Sequence, residues 1–251
     1  AADVTNSYAS ARICLQGAQV LTWQPAGVTE PVIWMSSDAQ IAKGKSIRGG
    51  VPVCWPWFGA HATNDALPAH GFARTQPWQV KGSRLMNDGS TELSLTMPIN
   101  TAAQKMWAGR AQLDMLINVG ETLKIALITR NLGKSAFHIS EALHTYFAVS
   151  DVAQVNVEGL GGVHFHDKAA GWTQGDQVGN IAFKTEVDRV YVNSANACSI
   201  LDSGYKRRIH INKLGSKSTI VWNPAAVRAA QMGDLGVDGW KHFVCVESGN
   251  A

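Results

Sequence analysis

The chain has 251 residues, of which 45% are hydrophobic and 16% charged, and its 22 basic against 19 acidic side chains give a net charge of +3. This mild charge lacks the concentrated basic surface that nucleic-acid binding requires, and no stretch approaches the ~20 apolar residues of a membrane-spanning helix. We therefore expect a globular protein that binds neither nucleic acid nor membrane, built as a single domain over 1–251.

The N-terminal residues and the cysteines indicate the cellular compartment of the protein. The first residues have neither the basic nor the apolar segment of a secretory signal. The four cysteines form no CxxC pair, and Cys14, Cys198 and Cys245 lie in or beside apolar runs, where a thiol packs as a small apolar group. We expect all four to be reduced and the protein to be cytoplasmic, the alternative being disulfides, which an even number of cysteines allows.

Alternation of apolar and polar residues predicts strands along most of the chain. A hairpin is predicted at 13–23, and in the first half strands follow at 92–97, 112–119 and 123–127. The second half predicts strands at 137–149, 154–158, 163–166, 180–193, 198–202, 208–212, 218–222 and 242–247. Only 101–107 and 224–234 favour helix, the latter with Asn223 as N-cap. Without strand–helix–strand alternation, these elements predict an all-β, antiparallel sandwich.

The loop between the first strands combines glycine, proline and aromatic residues with cations. It reads IRGGVPVCWPWFG over 47–59 and LPAHGFAR over 67–74, and it contains Arg48, His70 and Arg74. Glycine and proline suit a rigid loop, and arginine suits a carboxylate or phosphate. His61 lies in the same loop. The alternative interpretation is an ordinary turn with surface arginines.

The run FHISEALHTYF over 137–147 contains His144. As one strand it would present His138, Ser140, His144 and Tyr146 on one face. This face is too polar for an ordinary core and suits a pocket wall, although a structural histidine remains an alternative for His144.

Glu247 ends the apolar run FVCVE over 243–247. It shares a face with Phe243 and Cys245, whose apolar surroundings disfavour a charged carboxylate. Glu247 is therefore a candidate general base, the alternative being an exposed glutamate at a strand end.

Two further strands carry polar clusters. Glu186 and Asp188 share a face and could bind sugar hydroxyls, or form a surface patch with Arg189. His164 and His166 have a spacing that suits metal ligands, but no third and fourth ligand is identifiable, so we predict no metal site.

Taken together, IRGGVPVCWPWFG, LPAHGFART, EALHTYF, TEVDRVY and FVCVE, in this order and spacing, resemble the hexose-6-phosphate mutarotases. These form the glucose-6-phosphate 1-epimerase branch of the aldose 1-epimerase superfamily. The opening ICLQGAQVLTWQP resembles the first hairpin of the family, so the likeness covers nearly the whole chain. It implies a galactose-mutarotase-like β-supersandwich of antiparallel strands with one or two short helices.

The resemblance also implies an activity and a site. The protein would be an isomerase that interconverts the α and β anomers of a hexose 6-phosphate by acid/base-catalysed ring opening, without a cofactor. His144 matches the catalytic acid and Glu247 the catalytic base. Arg48 and Arg74 match arginines that bind substrate through its phosphate, and Asp188 matches an aspartate that holds sugar hydroxyls. We expect His144 and Glu247 to face each other across a gap as wide as a sugar ring.

The chain departs from the family pattern at two positions. Ala69 stands where the family carries a glutamine that contacts substrate, so we expect His70 or His61 to replace that contact. Trp57 replaces a smaller or polar residue. The family also continues beyond the last strand, so a C-terminal strand is expected to be missing.

Two other functions remain open on the same scaffold. One is a non-catalytic protein that binds or senses carbohydrate, and the other is a mutarotase for unphosphorylated aldoses. In each case we expect a monomer with a small-molecule partner.

Overall fold

The computed structural model describes residues 1–251 and contains two compact units whose segments alternate along the chain. The first unit comprises Ala1–Pro31, Ile41–Ser46 and Val51–Glu141. The second comprises Val32–Gln40, Ile47–Gly50 and Ala142–Ala251. The prediction of one domain stays a prediction.

The first unit contains two antiparallel sheets, one of three strands and one of four. The three-stranded sheet follows chain order, with β1 (Ala2–Thr5), β2 (Ala9–Cys14) and β3 (Gln19–Pro25). After the short β4 (Val53–Cys54), the four-stranded sheet also follows chain order: β5 (Gln79–Leu85), β6 (Thr91–Met97), β7 (Ala111–Val119) and β8 (Leu123–Asn131). A short helix, α1 (Thr101–Met106), joins β6 to β7.

Strand β7 has the burial that its sequence pattern predicts at all positions but one. Leu113, Met115, Ile117 and Val119 are buried, and the alternating residues Gln112, Leu116 and Asn118 are half-buried. The exception is Asp114, which is buried because its carboxylate pairs with Arg130 and accepts from Gln112. Because β7 pairs with both β6 and β8, its apolar face joins the core. Strand β5 is at the edge of this sheet and is exposed along its whole length.

The second unit also contains two sheets. In the larger one the strand order is β13, β12, β15, β18, β19, and both β9 and β10 lie next to β19. In the smaller one the order is β14, β11, β16, β17. The strand bounds are β9 (Glu141–Leu143), β10 (Tyr146–Ala148), β11 (Val155–Glu158), β12 (His164–Asp167), β13 (Thr173–Asp176), β14 (Ile181–Ala182), β15 (Val187–Tyr191), β16 (Cys198–Asp202), β17 (Arg207–Ile211), β18 (Ser218–Asn223) and β19 (Phe243–Asn250).

An aromatic cluster packs under the larger sheet. Its buried members are Trp34, Tyr146, Ala148, Ala229, Leu235, Phe243 and Cys245. Phe243 lies at the centre, with ring centroids 4.5 Å from Trp34, 5.1 Å from Tyr146 and 5.6 Å from Trp222. This cluster supports the ends of β10, β18 and β19.

Three predicted elements differ in extent from the structure. The strand expected at 137–149 is two short strands, β9 and β10, because the backbone N–H of Thr145 donates to the carbonyl of Leu143 in a tight turn. The strand expected at 180–193 is β14 and β15, which belong to different sheets. The helix expected at 224–234 is only α2 (Ala225–Ala229).

The helices are few and short. The predicted N-cap, Asn223, is instead the last residue of β18, and the residue that directly precedes α2 is Pro224, whose side chain makes no capping hydrogen bond. The side chain of Asn223 still accepts a hydrogen bond from the N–H of Ala225 at 2.9 Å. None of the helices has the length and apolar character needed to cross a lipid bilayer.

Candidate functional site

The register between β10 and β19 brings His144 to Glu247. Tyr146 on β10 is opposite Cys245 on β19, and the strands are antiparallel. Two residues back from Tyr146 is His144, and two residues on from Cys245 is Glu247. Cys245 and Glu247 are two apart on β19 and share a face, and His144, just before β10, stacks on Tyr146 on that side. The Nδ1 atom of His144 is 3.3 Å from Oε1 of Glu247.

This pair is withdrawn from solvent. The side chain of His144 is 11% exposed and that of Glu247 only 1%. The sequence predicted a gap as wide as a sugar ring between His144 and Glu247, but the 3.3 Å contact leaves no such gap. Burial of a carboxylate is costly without a partner, and His144 is the ionisable side chain beside Glu247.

Two aromatic rings fix the orientation of His144. Its imidazole is stacked on the ring of Tyr146, with centroids 4.9 Å apart and an interplanar angle of 9°. Trp222 meets it edge-on at 5.8 Å. Burial raises the pKa of Tyr146, although Arg48 acts in the opposite direction, so Tyr146 is a neutral phenol at physiological pH.

Arg48 is connected to His144 through Tyr146. Its Nη1 donates to the hydroxyl of Tyr146 at 2.8 Å, and its Nε donates to Asp234 at 3.1 Å. Burial alone would lower the pKa of Arg48, but Tyr146 and Asp234 raise it overall. Arg48 is therefore a fixed positive charge, with Nη2 making no hydrogen bond in the structure.

The glycine after Arg48 allows its loop to pack closely. Gly49 has φ +102°, and a Cβ there would lie 2.6 Å from the carbonyl oxygen of Trp34. A larger residue at this position would displace the loop that carries Arg48.

Asp188 lies in the same sheet. It is opposite Trp222, which is opposite Cys245, which is opposite Tyr146, so these four residues form a row across β15, β18, β19 and β10. Its carboxylate is 3.4 Å from Nζ of Lys168. Burial raises the pKa of Asp188, with Lys168 acting in the opposite direction.

The other three predicted binding residues, Arg74, His70 and His61, lie in the first unit. Arg74 sits in a 3-10 turn and donates to the carbonyl of Ala69 at 2.8 Å. Nδ1 of His70 is 3.3 Å from the backbone nitrogen of Gly59. His61 meets Trp57 edge-on at 4.8 Å. These contacts describe a packed loop, and the binding roles of the three residues stay predictions.

Sequence reasoning did not assign roles to Tyr146 and Asp234. For Tyr146 a signal existed, since the alternation in HTYF puts it on the face of His144. No pattern marked Asp234, because it lies in the turn region after α2, where a helix was expected.

A sequence profile described as "Aldose 1-epimerase" matches residues 2–251. The chain belongs to the aldose 1-epimerase family. A relative from Escherichia coli strain K12, named "Putative glucose-6-phosphate 1-epimerase", is 39% identical over 249 residues, covering 99% of this chain and 82% of the relative.

Solved structures agree with this membership. The crystal structure of a "putative mutarotase (YeaD)" from Salmonella typhimurium matches with a TM-score of 0.92 and 37% identity, over 99% of this chain and 82% of that one. A galactose mutarotase-like protein from Lactobacillus casei matches with a TM-score of 0.75 at 14% identity, over 99% of this chain and 87% of that one, which is a likeness of fold. The all-β, galactose-mutarotase-like fold is therefore confirmed, and this aldose 1-epimerase family member is an isomerase.

Proposed function

We propose that this isomerase interconverts the α and β anomers of a hexose 6-phosphate, with glucose 6-phosphate as the substrate to test first. The observation that carries the proposal is the buried contact of 3.3 Å between His144 and Glu247, joined through Tyr146 to the fixed charge of Arg48. The name of the Escherichia coli relative supports this choice of substrate.

Ring opening needs a base at the C1 hydroxyl and an acid at the ring oxygen. In our proposal Glu247 takes the hydroxyl proton while His144 donates a proton to the ring oxygen, and the bond between C1 and that oxygen breaks. Rotation about C1–C2 and closure in the reverse sense give the other anomer. Because both oxygens are bonded to C1, an adjacent acid and base can reach them without a sugar-wide gap.

The geometry supports an assignment of the two histidine nitrogens. Nδ1 faces Glu247, so we assign the proton donation to Nε2. Histidine suits this role because its ordinary pKa is close to neutral. One positioned acid or base contributes about 10²–10⁴-fold, so two are sufficient for a considerable acceleration.

Arg48 is the phosphate-binding residue that the structure supports best. Its Nε and Nη1 are occupied by Asp234 and Tyr146, so Nη2 is the donor available to a phosphate oxygen. Arg74 keeps its proposed role at the phosphate, and Asp188 keeps its proposed role at the sugar hydroxyls. Both roles can be tested by comparing glucose 6-phosphate with glucose as substrate, in the same way as for Arg48.

The deciding experiment measures anomer exchange of glucose 6-phosphate and of glucose by NMR. We expect Glu247→Gln to lose nearly all exchange while its circular dichroism is unchanged. Full activity in this variant would remove Glu247 from the mechanism. Binding without exchange in the wild-type protein would favour a carbohydrate-binding function.

A second comparison tests the phosphate. A charge-assisted hydrogen bond contributes about 1.5–3 kcal/mol, so Arg48→Gln should raise KM for glucose 6-phosphate by about tenfold to a hundredfold. KM for glucose should hardly change. Arg12, in an exposed ion pair with Asp3, offers a matched control, and Arg12→Gln should affect neither substrate. Equal effects of Arg48→Gln on both sugars would favour an enzyme for unphosphorylated aldoses.

A further inference from the structure

Cys245 completes a group of three metal-ligating side chains with His144 and Glu247. A ring nitrogen of His144, Sγ of Cys245 and a carboxylate oxygen of Glu247 all lie within 4.8 Å of one another. Cys245 and Glu247 are two apart on β19, and His144 comes two residues before Tyr146, which is opposite Cys245 in the pairing of β10 with β19. The strand register that forms the proposed catalytic pair therefore also brings the thiol to it.

The three donors fit one class of ion. Imidazole nitrogen, thiolate sulfur and carboxylate oxygen are the ligands that zinc binds at ~2.0–2.3 Å, in a tetrahedron. A tetrahedron of that size separates its ligands by roughly 3.3–3.8 Å, so contraction of the group by about 1 Å would be enough. The thiolate excludes Mg²⁺ and Ca²⁺, which prefer oxygen.

We propose that His144, Cys245 and Glu247 form a binding site for a thiophilic divalent cation such as Zn²⁺, and that its occupation switches the enzyme off. The inhibition rests on the proposed function, because the metal takes the electron pairs with which His144 and Glu247 would exchange protons with the sugar. Three protein ligands leave the fourth position to water. Binding releases the thiol proton to solvent as the sulfur–metal bond forms.

The first test is a cobalt titration read by absorption, which does not depend on activity. We expect Co²⁺ to produce the near-ultraviolet band of a cobalt–thiolate bond, with one ion per chain. Cys245→Ala should remove the band. The matched control Cys198→Ala, also at a buried cysteine of the second unit, should retain it. A wild-type protein without the band would overturn the proposal, whatever its activity.

The second test is inhibition of anomer exchange by Zn²⁺. Loss of a group that merely supports a ligand costs 10–100-fold in metal affinity, so loss of the ligand itself in Cys245→Ala should raise the inhibitory concentration at least about 100-fold. Mg²⁺ should not inhibit. Equal sensitivity of wild type and Cys245→Ala would mean that Zn²⁺ acts elsewhere. If Cys245→Ala does not fold, the wild-type cobalt spectrum alone decides.

Discussion

Tyr146 connects the proposed acid to the proposed phosphate-binding residue. Its ring lies against His144 while its hydroxyl accepts from Arg48. Tyr146→Phe keeps the ring and removes the acceptor, so Arg48 is held only by Asp234. We expect KM for glucose 6-phosphate to rise about tenfold, corresponding to about 1.4 kcal/mol, while kcat stays within about twofold.

The control for this variant is Tyr205→Phe, at a tyrosine that is 36% exposed, which should leave both constants unchanged. Steady-state kinetics by polarimetry separate KM from kcat. A fall in kcat at constant KM would mean that the hydroxyl of Tyr146 acts on the chemical step, in contradiction to a positioning role.

Asp188 gives a prediction for stability against pH. Burial raises its pKa above the ordinary 3.8, so the folded state binds this proton more tightly than the unfolded state. The contribution of protonated Asp188 to the free energy of unfolding is complete below pH 3.8, the ordinary pKa. This contribution is lost as pH rises through the pKa of Asp188 in the folded state. We expect the free energy of unfolding of Asp188→Asn to exceed that of wild type by an amount that grows from pH 4 to pH 7.

Urea unfolding of both proteins at several pH values measures this difference. Lys168 lowers the pKa of Asp188, so the same comparison made in a Lys168→Met background should show a steeper dependence on pH. A difference that shrinks with rising pH would mean that the ionised Asp188 stabilises the fold.

At the scale of elements, the sequence predicted which residues share a face of each strand, but it did not predict which strands pair with each other. The alternation in FVCVE places Cys245 and Glu247 on one face, and that in HTYF does the same for His144 and Tyr146. The pairing of Tyr146 with Cys245 is a tertiary contact between distant segments, which periodicity within either segment does not encode. Their convergence was therefore expected only through resemblance to a family.

The aromatic cluster under β19 makes a prediction about packing. Phe243 is fully buried among Trp34, Tyr146 and Trp222. Phe243→Ala leaves a cavity there, and such substitutions cost about 3–5 kcal/mol. We expect this loss in the free energy of unfolding measured in urea.

The matched control is Val237→Ala, at a side chain that is 96% exposed in the same unit. Surface substitutions of this kind stay within about 0.5 kcal/mol of wild type. Similar losses in the two variants would show that the cluster contributes little to stability.

At the scale of the whole molecule, the sequence predicted the fold class and most strands because their side chains alternate locally, as in β7. The predicted length of an element was wrong where contacts with residues outside that element determine the residue at which it ends. The helix after Asn223 stops at Ala229, and the segment beyond it packs Met232 and Leu235 on the aromatic cluster while Asp234 binds Arg48. These partners are remote in sequence, so propensity alone favoured a longer helix.

The separation of β10 from β19 determines when the proposed site can form during folding. Strands β7 and β8 are joined by three residues, so this hairpin closes a short loop, whereas Tyr146 and Cys245 are about 100 residues apart. Pairing of distant segments is slow because loop closure must precede the contacts that reward it. Chains above about 150 residues also populate partly structured intermediates.

We therefore expect β structure to return before activity when the protein is diluted out of urea. Far-ultraviolet circular dichroism should recover several-fold faster than exchange of glucose 6-phosphate, because exchange requires His144 beside Glu247. Native enzyme added to the refolding buffer controls for the response time of the assay. Recovery of both signals with one rate constant would mean that β10 and β19 pair as early as the local hairpins, and the sequence separation of the site would then not limit its formation.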